Sequence, residues 1–403
     1  MKKVLSILLT LVLVLSLCTV AFANEEDGEL KFKNGEFKIL HITDPQDDMF
    51  MAYDLPNFLR LAIETAQPDL IVFTGDIVED RRGADPGVDA EDSREGVSVY
   101  VDGDKDKGIV YDETLANAKK ATDNIFSVIN SYSIPFVTAQ GNNDYACGVK
   151  NEDWLKIYSK YENCLTSDES NGSDRIDCHV EIKGSDGKPE FVIWMMDSGT
   201  SSVSNGSIKW YKEESNRIKE ANGGEPVPAF AFQHIYVKEI GNLFEFRPLW
   251  EDCVMVEGIG TYRLNRDKAT GHFSEITETP GKSSAEFRAW QKQGDIIGAF
   301  FGHEHYGGYT GTYKGIELGL TYGCEFAKSG PYGFRVITLH ENDITNYEND
   351  IYVYTGSVKT GDAVVTLQQD ESYPTYESRD SMLAQYWQNF KTNLVLMLKE
   401  LFD

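Results

Sequence analysis

Leu70 to Asp76 reads Leu-Ile-Val-Phe-Thr-Gly-Asp, an apolar run that stops at Gly75 and delivers a carboxylate. A short run rich in β-branched and aromatic residues, closed by glycine, has the composition of a strand buried on both faces. Asp76 then sits at the carboxyl end of that strand, the edge where open α/β sheets keep their sites. Turn chemistry alone puts Asp after Gly at the end of many strands. The weight therefore falls on whether other strands of this chain end in the same way.

They do. Phe37 to Ile42 is the expected first strand and runs into Thr43-Asp44-Pro45-Gln46, where Pro45 stops the strand and leaves Asp44 and Gln46 near one edge. Leu55 to Gln67 carries Leu55, Phe58, Leu59, Ala62, Ile63 and Ala66 at helical spacing, so the chain opens with a β-α-β unit. A second helix is expected over Thr114 to Ile129. The strand Pro135 to Ala139 follows and ends in Gln140-Gly141-Asn142-Asn143-Asp144. Further strands are expected at Phe191 to Met196, at Ala229 to Gln233 before His234, and at Ile296 to Phe301 before Gly302-His303-Glu304-His305. Ile208 to Ala221 and Ala285 to Gln293 read as helices, and Ile316 to Tyr322 and Phe334 to Leu339 as the remaining core strands. Residues 145–185 give no clear pattern.

Two stretches break the alternation. Residues 79–112 are polar, acidic and glycine-rich, the composition of a surface insertion. Inside it, Asp102, Asp104, Asp106 and Glu113 hold positions 1, 3, 5 and 12 of a calcium loop, but Lys107 stands where such a loop requires glycine, so a solvated acidic loop is the preferred reading. Residues 241–284 are irregular and aromatic, expected as a rim or lid in which Phe244, Phe246 and Trp250 pack locally or stack on a ligand. Past residue 350 two strands are expected, then a helix from Ser378 to Phe402 with Met382, Tyr386, Phe390, Leu394, Met397 and Leu401 on one face.

At the amino end, Lys2 and Lys3 precede an apolar run from Val4 to Phe22 and an Ala21-Phe22-Ala23 cleavage signal. Residues 1–23 are read as a secretory signal peptide, cleaved after Ala23, with an uncleaved anchor as the alternative. No second apolar run is long enough to span a bilayer. The expected organisation is thus a leader at 1–23, a main domain at 24–350 with insertions at 79–112 and 241–284, and an extension at 351–403. The formal charge is −27, which disfavours a polymeric nucleic acid as partner except where bound metal reverses the local sign. Cys147, Cys164, Cys178, Cys253 and Cys324 remain after the leader, an odd number without zinc-knuckle spacing and with no deducible pairing.

Collected in order, the strand-end groups are Asp44, Gln46, Asp76, Asn142, His234, His303 and His305, all competent metal ligands. Asp44-Pro45-Gln46, Gly75-Asp76, Gly141-Asn142-Asn143-Asp144, His234 and Gly302-His303-Glu304-His305 resemble the five ordered blocks of calcineurin-like metallophosphoesterases. The exported layout looks most like the purple-acid-phosphatase-29-like branch. The likeness spans Phe37 to Leu339 and implies a four-layer α/β/β/α sandwich with two mixed β-sheets, in accord with the alternation of helices and buried strands.

The resemblance further implies two metal ions, manganese, iron or zinc. Asp44, Gln46, Asp76 and His305 would hold one, and Asp76, Asn142, His234 and His303 the other, with Asp76 as bridge. Paired ions of this kind activate a water for in-line attack on a phosphate ester. A small phosphate mono- or diester is the implied substrate, since both activities share these ligands. Gln46 is a harder donor than the histidine common at its position and favours manganese, iron or magnesium over zinc. Asn143 stands where the family carries a catalytic histidine, and an amide cannot act as an acid near neutral pH. Asp144 is the substitute donor considered. The alternative is a weakened or inactive metal- and phosphate-binding module. Glu79 replaces the tyrosine that a purple chromophore would need. The oligomeric state is not legible.

Overall fold

The computed structural model describes residues 29–79, 99–101, 109–170, 174–246, 254–256, 260–273, 278, 280–327 and 330–368. The leader, the calcium-loop candidate at 102–108, most of the 79–112 insertion, Trp250, Cys253 and the expected helix at 378–402 lie outside the described residues.

In chain order the strands are β1 (Glu36–Ile42), β2 (Leu70–Phe73), β3 (Phe136–Thr138), β4 (Cys178–Lys183), β5 (Pro189–Met195), β6 (Ala229–Gln233), β7 (Phe244–Phe246) and β8 (Val254–Val256). They continue with β9 (Gly260–Leu264), β10 (Ala269–His272), β11 (Ile296–Phe301), β12 (Gly308–Tyr313), β13 (Ile316–Leu320), β14 (Tyr332–His340), β15 (Glu348–Thr355) and β16 (Val364–Leu367). The helices are α1 (Leu55–Ala66), α2 (Ile109–Asn130), α3 (Asn142–Ala146), α4 (Asn151–Tyr158), α5 (Asn205–Ala221) and α6 (Ala285–Gln293).

Two mixed sheets form the core. One runs β16-β15-β14-β1-β2-β3 and the other β10-β12-β13-β11-β6-β5-β4. β1, β2 and β3 are mutually parallel and run from the middle of the first sheet to one edge. In the second, β5, β6, β11 and β13 are parallel. Successive side chains of a strand point to opposite faces, and here that alternation assigns each residue to a layer. Ile39 and Val72 belong to the apolar layer that also holds Phe230, Phe232 and Phe300 of the other sheet, so this layer lies between the sheets. Leu40, Ile71 and Phe73 face the opposite way, onto α1, α2 and α4. On the far side, Trp194, Ala231, Ala299 and Phe301 pack with Tyr211 and Ile218 of α5 and Phe287 and Trp290 of α6. Helices, sheet, sheet, helices is the four-layer α/β/β/α order.

His41 and Arg335, buried in the first sheet, have hydrogen-bond partners, as burial demands. His41 on β1 shares hydrogen bonds with Thr74 Oγ1 (2.8 Å) and Thr321 Oγ1 (3.0 Å). Arg335 donates from Nε to Thr321 Oγ1 at 2.9 Å. Burial, together with the Arg335 charge, pushes the His41 imidazole well below its usual range and keeps it neutral.

Three expectations need correction. Residues 145–185, without a clear pattern in sequence, contain α4 and β4. The irregular rim at 241–284 is in good part strand: β7, β9 and β8 form a three-stranded sheet, and β10 joins the edge of the seven-stranded one. These strands are three to five residues long, too short for a period to emerge. Within this region Phe244 is buried against Phe273 and Tyr309 (ring centroids 4.7 and 5.3 Å apart), while Phe246 is 63% exposed. Finally, a boundary at residue 350 falls inside β15, which with β16 extends the six-stranded sheet.

Candidate metal centre

All seven candidate ligands sit just beyond the carboxyl ends of parallel strands: Asp44 and Gln46 after β1, Asp76 after β2, Asn142 after β3, His234 after β6, and His303 and His305 after β11. Because the sheets face each other, these ends share one edge of the sandwich. The backbone there is unusual. Asp44, Gln46, Asp76 and His303 adopt positive φ values of 52°, 38°, 50° and 78°. Left-handed backbone at residues other than glycine costs of order 1 kcal/mol or more each and persists where the surroundings dictate it. Two glycines make the close approach possible: a Cβ on Gly141 would overlap the Asp76 carboxylate, and one on Gly302 would overlap Thr43 and Asp44.

The groups converge. Ligand atoms of Asp44, Asp76 and His234 all lie within 4.8 Å of one another, and all three residues are buried. Asp76 is the centre: its Oδ2 is 3.2 Å from His234 Nε2 and accepts from Gln46 Nε2 (2.8 Å) and Asn143 Nδ2 (2.9 Å). His234 Nε2 in turn meets Asn142 Oδ1 at 2.9 Å and His303 Nδ1 at 3.2 Å. His305 Nε2 lies 3.4 Å from Asp44 Oδ1. That oxygen is buried with no hydrogen-bond partner, although Asp44 Oδ2 accepts from Thr43 Oγ1 (2.6 Å) and the His303 N–H (2.9 Å). An orphaned, buried carboxylate oxygen aimed at an imidazole and a second carboxylate is costly on its own. It is what a cation site built from this oxygen and nitrogen donor set requires, so the residues fit the implied ions.

Charge at the centre follows the same logic. Burial lowers the pKa of His234, but the carboxylates of Asp76 and Asp44 outweigh it and push the value to about 9, so in the metal-free chain the imidazolium supplies the positive charge. Burial alone would raise Asp76, yet the charge and hydrogen bond of His234, with donors from Asn143 and Gln46, hold it below the usual carboxylate range. Burial and the neighbouring His234 charge lower His303 to about 4, leaving a neutral ring able to ligate.

The two candidate catalytic residues occupy different surroundings. Asn143 faces the centre and donates to Asp76 twice, from its backbone N–H at 2.8 Å and from its side chain. Asp144 does not face it. Its Oδ1 accepts from the Ile77 and Val78 N–H groups (3.0 and 3.1 Å), and its Oδ2 from Gly141 N–H (2.9 Å). A fully buried carboxylate engaged this way ties α3 to the segment after β2, and a role as proton donor to substrate does not match that placement. Three contributors escaped the sequence reading. Thr43 holds Asp44. The Thr74 carbonyl meets His234 Nδ1 at 3.0 Å. Glu325 meets His305 Nδ1 at 2.8 Å. Glu325 stands five residues past the end of β13, behind Gly323 and Cys324, and nothing in its sequence setting pairs it with His305.

Known proteins resemble this chain. The chain is 23% identical over 396 residues to Probable inactive purple acid phosphatase 14 of Arabidopsis thaliana, covering 86% of this chain and 85% of that one. It is 22% identical over 367 residues to Probable inactive purple acid phosphatase 29 of the same plant, covering 79% and 81%. Among solved structures, a dimetal phosphatase from Danio rerio aligns with a TM-score of 0.43 at 11% identity, over 83% of this chain and 99% of that one. A structure of PhoD aligns with a TM-score of 0.47 at 9% identity, over 92% and 79%. The family model for calcineurin-like phosphoesterases matches residues 37–307, more than half of the chain and every candidate ligand from Asp44 to His305. This chain belongs to the calcineurin-like phosphoesterase family, with relatives among the purple acid phosphatases.

Proposed function

We propose that this chain is an exported, dimetal-dependent phosphoesterase that hydrolyses small phosphate mono- or diesters without the family's histidine proton donor. The observation that carries this reading is the buried convergence of Asp44, Asp76 and His234 around an orphaned carboxylate oxygen. Asp44, Gln46, Asp76 and His305 would hold one ion, and Asp76, Asn142, His234 and His303 the other. When bound, the ions would supply Lewis-acid polarisation of the phosphoryl group and a water of lowered pKa. Ligation by Gln46 Oε1 requires its amide to turn over from the Asp76 contact, a rotation that leaves the side chain in place.

The chain's own part is chiefly orientation. Asn143 fixes the Asp76 carboxylate from two sides and has no proton to give a leaving oxygen. Loss of a general acid costs about 10²–10⁴ in rate, least for leaving groups that depart as stable anions. Esters of acidic alcohols such as nitrophenol are therefore the expected good substrates. The secretory leader read at residues 1–23 supports export.

A second reading, a metal- and phosphate-binding module without turnover, is favoured by the same double engagement of Asn143 and by the "inactive" in the relatives' names. One experiment separates the two. The protein from Asn24 onward, stripped of metal and reloaded with manganese, iron or zinc, is assayed on nitrophenyl phosphate mono- and diesters beside Asp76→Asn. Turnover that needs metal and vanishes in the variant supports the esterase. Stoichiometric metal without turnover, unchanged in Asn143→His, supports the binding module. For the esterase, Asn143→His is expected to raise kcat about 10²-fold or more on alkyl esters and less on nitrophenyl esters.

A further inference from the structure

His305 and His234 turn the same nitrogen, Nε2, toward the centre, but their other nitrogens meet different partners. His234 Nδ1 is hydrogen-bonded to a neutral carbonyl, Thr74 O, at 3.0 Å, with the nearest carboxylate oxygen, Asp44 Oδ1, beyond contact at 3.9 Å. His305 Nδ1 faces a carboxylate, Glu325 Oε2, at 2.8 Å. Glu325 is 2% exposed, and a charge buried so far demands a partner of opposite or inducible sign.

The segment bearing Glu325 is tied at both ends of the contact it makes. Gly323 N–H donates to the His305 carbonyl at 3.0 Å, and Cys324 N–H donates to the Asp44 carbonyl at 3.1 Å. The carboxylate is thereby placed with respect to His305 and Asp44 together. On the other side of the same ring, Nε2 points at Asp44 Oδ1, the oxygen without a hydrogen bond.

We propose that Glu325 is a positioning residue that fixes His305 with Nε2 toward the ion and makes the Asp44, Gln46 and His305 half of the site the tighter one. The proposal rests on the dimetal reading above. A carbonyl orients a ligating imidazole, whereas a carboxylate orients it and also raises its basicity, and such outer partners are worth about 10–100-fold in metal affinity. His234 Nδ1 has no carboxylate in hydrogen-bond contact, since Asp44 Oδ1 stands off at 3.9 Å, so the two ions are held unequally.

The test is calorimetric titration of manganese into the metal-stripped protein from Asn24, compared with Glu325→Gln and Glu325→Ala. The wild type is expected to take up manganese in two steps of different affinity. Glu325→Gln, which keeps the shape of the side chain, should weaken the tighter step about 10–100-fold and leave the weaker step within twofold. Glu325→Ala should weaken the tighter step at least as far. Thermal unfolding in chelator checks that Glu325→Gln retains the fold, so a selective loss reports on the site. Two equal steps in the wild type, or a Glu325→Gln titration that overlays it, would overturn the proposal while leaving the dimetal reading intact. Equal weakening of both steps would also overturn it, since a general disturbance has no preference between halves. A wild type that binds no manganese, iron or zinc would remove the dimetal reading and the proposal together.

Discussion

Asp144, considered from the sequence as a substitute proton donor, has its carboxylate engaged by backbone donors in the fold. Its position beside Asn142 and Asn143 marks it as part of a candidate functional block, yet its oxygens accept from Ile77, Val78 and Gly141 N–H groups rather than facing the candidate ligands. Backbone donors carry no sequence signal, so this role is visible only once the chain is folded. Asp144→Ala would leave those buried donors without an acceptor, at about 1–3 kcal/mol for each unsatisfied group. Relaxation and water entry recover part of that, and a stability loss of about 2–5 kcal/mol is expected in urea unfolding with chelator present. A loss of activity with unchanged stability would instead return Asp144 to catalysis. The candidate ligands were legible because each is a polar residue at or just past the end of an apolar run. The threonines, carbonyls and Glu325 that orient them were not, because orientation depends on which strand ends meet across the two sheets.

The turns after β2 and β3 make the same point for elements. A Cβ on Gly75 would overlap the Gly141 backbone, and a Cβ on Gly141 would overlap Asp76. That contact brings the β2 and β3 ends together and lets the Asn143 N–H reach Asp76. Gly141→Ala is therefore expected to displace Asp76, costing about 1–3 kcal/mol in unfolding free energy and abolishing stoichiometric metal uptake. Gly187→Ala, at an open turn with nothing within 4 Å, is the control that carries a left-handed backbone strain without touching the site. Equal metal uptake by the two variants would refute the packing explanation. The long, strongly patterned elements, β1, α1, β6, α6 and β11, were readable from sequence to within a residue or so. β4 was missed despite a clean alternation of Cys178, Val180 and Ile182 toward the core. β7 to β10 were missed because strands this short derive their identity from neighbours rather than from their own period.

At the scale of the whole molecule, a formal charge of −27 coexists with carboxyl groups buried well inside. Burial pushes Asp177 up to about 7, and burial with the charges of Asp177 and Glu239 pushes Glu286 up to about 8. The unfolded chain releases these protons near the ordinary values of 3.8 and 4.5, so between those values and pH 8 the folded state binds more protons than the unfolded one. Stability from this source is therefore fully present below those ordinary values and lost progressively as pH rises, to about 7 for Asp177 and about 8 for Glu286. The histidines act with the same sign over the upper part of that range. His179, lowered by burial but raised more by Glu169, Glu181 and Glu214, reaches about 9, as does His234, and both lose their contribution as pH rises from 6.5 toward 9. His303, held near 4, opposes them only at the low end of this range, because the unfolded imidazole is largely neutral a unit above its ordinary value of 6.5. The metal-free protein should thus show a urea midpoint that falls steadily from pH 6.5 to 8.5. Glu286→Gln, which cannot ionise, should flatten that fall. Manganese should flatten it further, because an ion at the centre takes over from the His234 proton the neutralisation of Asp44 and Asp76. A midpoint that is level or rises across this range in chelator would mean that the buried carboxyls are ionised in the fold and find partners there.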